Sequence, residues 1–191
     1  TSNHCARLVA HEKARTGVLK GNPIHEDMVF AARKAGLAFI LNVVIDEHQR
    51  VTHAFAGDLE AAHAAGCALV GEHSRVPAVV SDIAVTSNGG YPLDQNVYQS
   101  VKPMTAAESC CRKGGVIICA SRCEDGNGGD IFVDWFKRCN GPQDVLDQIM
   151  QVPDKETGPD QWQSQVLARV MLHASVILVA DEKCKSICDD I

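Results

Sequence analysis

Three short apolar runs in the second half of the sequence, "VVSDIAV" at 79–85, "VIICAS" at 116–121 and "VILVA" at 176–180, are separated by long stretches of helical spacing. Strands that alternate with helices cannot pair through tight hairpins. They predict parallel strands joined by helical crossovers, an α/β fold whose sheet is covered on both faces. Helices are expected from Asp94 onward and over 130–139, 142–150 and 159–174. Pro103 is expected to end the first of them, with Thr105 and Glu108 as a capping box that starts another.

The first part reads differently. In "GNPIHED", Asn22 and Pro23 suit a helix cap and first turn, and Met28, Val29, Ala32 and Ala35 keep helical spacing until Gly36. "LAFILNVVID" and "VTHAFAGD", with "EHQR" between them, read as a hairpin, and Asp58 caps an Ala-rich helix to about Glu72. "HSRVPA" breaks that helix. The chain is therefore expected to divide near Arg75: residues 1–75 form the tail of one α/β domain, and residues 76–191 form a three-layer α/β domain with a mostly parallel sheet.

Bulk properties exclude several classes. With 46% apolar and 22% charged residues the chain is globular, not disordered. A formal charge of -6 with scattered Lys and Arg argues against nucleic-acid binding, and no apolar run approaches the length of a membrane span. The start, "TSNHCARLVAHEKAR", has neither a signal-peptide core nor an initiator Met, as expected of a fragment. Nine cysteines, an odd number with no CxxC spacing, fit reduced thiols and a cytoplasmic setting better than a secreted disulfide framework or a metal cluster.

The stretch "TSNGGYPLDQNVYQSVK", 86–102, carries the chemistry. On a helix that begins at Asp94, Gln95, Tyr98, Gln99 and Lys102 fall within roughly 100° of arc, with Val97 and Val101 opposite. This polar face directly follows the end of a strand. Open α/β sheets bind ligands there, because the loop and the helix N-terminus leave N–H groups unpaired. Gly89 and Gly90 allow close approach, and Gln99 and Lys102 offer a neutral donor and a cation to a carboxylate or phosphate. By spacing alone, a solvated Gln/Lys helix face explains the same residues.

The same stretch, with "MTAAE" and "GGVII" after it and "GVLKGNPIHEDM", "FILNVVIDE" and "AFAGDLEAAH" before it, resembles the C-terminal half of the nickel-dependent lactate racemase family along nearly the whole chain. The resemblance implies a racemase or epimerase of 2-hydroxy acids. It implies a nickel-pincer pyridinium mononucleotide tethered to a Lys, hydride transfer to and from that cofactor, and two histidines as general acid/base. It assigns His4 as nickel ligand, Tyr98, Gln99 and Lys102 to the substrate and cofactor cleft, Trp162 to the substrate, and catalysis to Gln99 and Lys102; Gly89 and Gly90, in the turn that allows close approach, are expected on the cofactor side. An imidazole suits Ni(II). It also implies that the tethering Lys, both acid/base histidines and a substrate-binding Arg lie upstream of this chain, so that these 191 residues alone are inactive.

Position alone makes His4 a surface residue, and Trp162 beside Val166 and Val170 a core one, as Trp135 beside Phe132 and Phe136 is expected to be. His25 either helps shape the site or belongs to a helix start, and the remaining histidines read as structural or exposed. The alternative function is a non-catalytic α/β module that binds an anionic small molecule or a partner chain. A Rossmann-type dehydrogenase is disfavoured because no GxGxxG follows a strand.

Overall fold

The structure is a computed structural model that describes residues 2–191, the side chain of Ser2 apart. In chain order the elements are α1 (Ala6–Ala10), α2 (Pro23–Lys34), β1 (Ile40–Ile45), β2 (Val51–Gly57), α3 (Leu59–Ser74), β3 (Ser81–Ser87), α4 (Val97–Glu108), β4 (Cys111–Ala120), α5 (Asp130–Lys137), α6 (Pro142–Met150), α7 (Gln161–His173), β5 (Ser175–Val179) and α8 (Lys185–Asp189), with short 3-10 turns at Ser2–His4, Asp154–Glu156 and Glu182–Cys184. They form two compact units.

One unit is Ala10–Pro77. Asn22 caps α2, its Oδ1 accepting from the Ile24 N–H at 3.1 Å, and Gly36 at φ +72 follows the helix. β1 and β2 pair antiparallel from Ile40 opposite Gly57 to Ile45 opposite Val51. Their turn is tied by Asp46, whose Oδ1 accepts from the N–H groups of His48 and Arg50, both at 2.9 Å. Asp58 caps α3 by accepting from Glu60 and Ala61, and Arg33 reaches Asp58 and Glu60 from α2.

The other unit joins the N-terminal stretch up to Val9 to Ala78–Ile191. The expected division placed 1–75 together; the first residues pack instead with the second unit, because Cys5, Ala6 and Val9 are buried there and the Gln165 Nε2 donates to the Ala6 carbonyl at 2.9 Å. A helix face of five residues is too short to bury itself, and α7 supplies the surface it needs.

The sheet of this unit is parallel, in the order β3-β4-β5, with Ala84 opposite Ile117 and Ile117 opposite Val176. The α/β class and the parallel pairing are as expected. The cover is not two-sided. Ala84, Ile117 and Cys119 are buried under α4 and α7, whereas Ile83, Val85, Ile177 and Val179 on the other face are each half exposed or more. The reason is topological. Each crossover steps in the same direction along the sheet, and right-handed crossovers that never reverse direction put every connecting helix on one side. Outside α4 and α7, α5 and α6 form a further helical layer against α7, and Phe132, Val145 and Ile149 are fully buried between them.

No helix among the described residues is long and apolar enough to cross a membrane. All nine cysteines are free. Cys5, Cys111, Cys119, Cys123 and Cys184 are buried, and burial, then the nearby Cys123, pushes the Cys119 thiol up to about 11.

Candidate functional site

After β3 the chain turns through Asn88, Gly89 and Gly90. Both glycines have left-handed backbones, φ +78 and +95, and no atom lies within 4 Å of where a Cβ would stand. The turn requires glycine for its backbone, and it leaves an open exposed surface beside the strand end.

Asn88 explains a misreading of Pro103. The expected stop is absent, and α4 runs through Pro103 to Glu108. A proline inside a helix leaves the carbonyl four residues earlier without its N–H partner, here Gln99. The Asn88 Nδ2 donates to that Gln99 carbonyl at 2.9 Å, and also to the Leu93 carbonyl at 2.6 Å. We expect Asn88→Ala to destabilise the chain by about 1–3 kcal/mol, and by less in a Pro103→Ala background, where the helix regains its own donor. Denaturant melts of the four proteins in this cycle measure the difference, and equal losses in both backgrounds would contradict the pairing.

The start of α4 also differs from expectation. Asp94 does not cap it: its Oδ2 accepts from the Arg122 N–H at 3.1 Å, bracing the loop after β4. The cap is Asn96, whose Oδ1 accepts from the Gln99 N–H at 2.9 Å, so Gln95 lies before the helix and off the polar face. The Val97 N–H donates to the Gly126 carbonyl at 3.0 Å and the Tyr98 N–H to Asn127 at 3.1 Å. The first N–H groups of the helix are thus spent on the loop at 126–127, and α4 offers no bare N-terminus to an anion. Nor does the sheet order reverse to make a switch-point crevice. Ligand recognition here must come from side chains.

Those side chains divide as the helical arc predicts. Val97, Val101 and Met104 are buried, Tyr98 and Gln99 are half-buried, and Lys102 is exposed. Among the described residues Lys102 makes no ion pair, and the side chains of Gln99 and Lys102 make no hydrogen bond. The Tyr98 ring stands edge-on to Phe132 at 5.7 Å and to Trp162 at 6.1 Å between centroids. Trp162 is half-buried and not a core residue, and its indole meets the His4 ring at 5.3 Å, tilted by 55°. Trp135 is buried, with the Arg138 guanidinium 3.4 Å over its ring.

His4 is held by its neighbours in sequence: the Gln165 bond to Ala6, and the Arg7 pair with Asp154 at 2.7 Å. Burial lowers its pKa and favours the neutral imidazole that a metal requires. The structure therefore brings His4, Trp162 and Tyr98 into one row of rings, with Gln99 and Lys102 on the same helix as Tyr98. His25 lies elsewhere, stacked on His63 at 5.3 Å in the other unit. Among the described residues no three His, Cys, Asp or Glu side chains gather as a metal cluster.

Sequence reasoning missed Asp160 and the glutamines around Trp162. Gln161, Gln163 and Gln165 are buried on α7, and Gln163 ties α7 to α4 through its Nε2 bond to the Tyr98 carbonyl at 2.8 Å. The signal was the repeated Gln in "DQWQSQ", too polar for a core helix unless each amide has work.

Fold and side chains together make this an α/β domain in which the rings of His4, Trp162 and Tyr98 gather, Tyr98 in the first turn of the helix that follows β3. Residues 76–191 match the family profile described as lactate racemase C-terminal domain, and the chain belongs to that family. It is 55% identical over 182 residues to the lactate racemase of Thermoanaerobacterium thermosaccharolyticum, covering 95% of this chain and 43% of that protein. It is 51% identical over 180 residues to the lactate racemase of Lactiplantibacillus plantarum, covering 94% and 42%. The solved lactate racemase apoprotein from T. thermosaccharolyticum superposes with a TM-score of 0.96 at 53% identity, over 99% of this chain and 45% of that one. The chain thus spans less than half the length of the curated relatives it matches.

Proposed function

We propose that this chain is the substrate-side part of a cytoplasmic racemase or epimerase of lactate-like 2-hydroxy acids. The observation that carries the reading is its identity of more than half, along nearly all its length, to two lactate racemases, with Tyr98 and Trp162 packed together on the strand-end face of the same unit. Lys102 pairs its free ammonium with the substrate carboxylate, and Gln99 donates an amide hydrogen to the substrate; these two carry the catalytic positioning in this chain. Trp162 covers the reacting carbon against water, and Tyr98 backs the indole.

A nickel-pincer pyridinium mononucleotide suits the donor set. With one half-buried, neutral imidazole and no gathered cluster among the described residues, these side chains do not fit a bare ion, which needs several protein ligands. They fit a group that brings its own donors and takes one more, from His4. The open surface beside Gly89 and Gly90 leaves room for the nucleotide. When bound, such a group supplies hydride acceptance and return. The tethering Lys and the general acid/base histidines belong to the preceding part of the longer proteins.

The test is a chimera in which the preceding residues of the T. thermosaccharolyticum racemase are joined to this chain and loaded with cofactor. It is expected to racemise D- and L-lactate, while the 191 residues alone do not. A chimera that folds, takes up nickel and shows no turnover on lactate or other 2-hydroxy acids would sink the reading.

A further inference from the structure

Asp160 stands at the start of α7, where an aspartate ordinarily caps the helix by accepting from its first N–H groups. It does not. Its backbone is left-handed, φ +60 and ψ −4, and its side chain makes no capping bond. The carboxylate is turned toward Gly129 instead, where a Cβ on that glycine would lie 3.4 Å from the Asp160 Oδ2. This places it beside the start of α5, the helix whose Phe132 packs on the Tyr98 ring. Trp162, two residues further on, meets the same ring edge-on.

We propose that Asp160 is the positioning residue of the aromatic wall. Its carboxylate engages the Tyr98 hydroxyl proton while the Trp162 indole N–H approaches the hydroxyl oxygen, so that phenol and indole are locked as one strut and Tyr98 is not a proton donor to substrate. A phenol has one proton to give, and a carboxylate takes it in preference to a neutral acceptor. The electrostatics agree: burial first, then the nearby Asp160 carboxylate, raise the Tyr98 pKa, and the nearby Trp162 indole lowers it. Asp160 gives up its own helix cap and sits in a conformation most residues avoid, which marks the position as one set by something other than α7. The strut stands on the placement of Asp160 beside Gly129 and on the ring contacts of Tyr98; its effect on turnover rests on the racemase reading.

The chain has two tyrosines, and Tyr91 is 70% exposed, so Tyr91→Phe leaves Tyr98 as the only phenol without disturbing the core. In that background the tyrosinate absorbance of Tyr98 is titrated in the 191-residue chain, with far-UV circular dichroism followed at each pH. Asp160→Asn is expected to move the ionisation to lower pH, and Asp160→Glu to restore it in part. At pH 8, where His4 is neutral, acrylamide quenching of the emission that Trp162→Phe removes is expected to rise in Asp160→Asn. It should rise equally in Tyr98→Phe and no further in the double variant. A Tyr98 titration and a Trp162 quenching unchanged by Asp160→Asn, or fully additive effects in the double variant, would overturn the strut, whether or not the chimera racemises lactate. In the active chimera, Asp160→Asn should raise KM severalfold while the pH profile of kcat/KM keeps its limbs; a lost limb would make Tyr98 an acid after all.

Discussion

In the chimera described above, Lys102→Ala is expected to lower kcat/KM for lactate on the order of a hundredfold, the scale of leaving a recognised charge without its partner in a closed site. KM rises because the substrate carboxylate loses its cation, and kcat falls because the planar keto-acid form loses it too. Lys102 is suited to the task by what it lacks: it is exposed on the polar face of α4, and no carboxylate among the described residues competes for it. Lys102→Arg should recover part of the loss, since it restores charge but not the compact ammonium. The measurement carries an internal check. Enantiomers have equal free energies, so kcat/KM for D- and L-lactate must fall by the same factor, whatever the variant. An unaltered kcat/KM in Lys102→Ala would place carboxylate recognition elsewhere.

Gly128→Ala should be among the most damaging single methyl additions in the chain, with a loss of about 3 kcal/mol. The new Cβ would lie 2.5 Å from the Asn96 Cγ and 2.6 Å from its Oδ1, on a backbone at φ +85. Asn96 must then leave the Gln99 N–H that it caps, so backbone strain, crowding and a lost cap act together at the start of α4. Gly141→Ala is the matched control: φ is +95, but no atom lies within 4 Å, so only the strain of about 1 kcal/mol remains. Thermal melts of both variants separate the two contributions. Equal shifts in Tm would show that Asn96 gives way freely.

The sequence carried the parallel strands, the Asp58 cap, α6 to its residue and the polar arc of α4, because each rests on local spacing. It misplaced what depends on partners far along the chain. Pro103 reads as a stop until the Asn88 amide is seen on the Gln99 carbonyl, and Asp94 reads as a cap until the loop after β4 claims its carboxylate. The one-sided helical cover was legible in principle from strand order, but strand order is not a local property. At the site, the resemblance named His4 and Trp162, while helical spacing argued for a core Trp. The structure shows why spacing failed: Trp162 lies on the rim of the buried Gln row and faces His4. Asp160 had no local signal other than a cap, which is the one task it does not perform.

One consequence concerns the order in which the site is assembled. The segment bearing His4 belongs to the same unit as Ala78–Ile191 although Ala10–Pro77 lies between them in sequence, and the Ala6–Gln165 bond joins residues 159 positions apart. Closing so long a loop costs little more than closing a short one, about 0.6 kcal/mol for each doubling, so the arrangement is thermodynamically cheap, but contacts of such separation form late in folding. The His4 seat is then a latch, made after the sheet and able to open without it. On the function proposed above, metal capture and release would follow the local opening of that latch, visible as faster amide exchange at Cys5–Val9 than in β4, and not the stability of the domain as a whole.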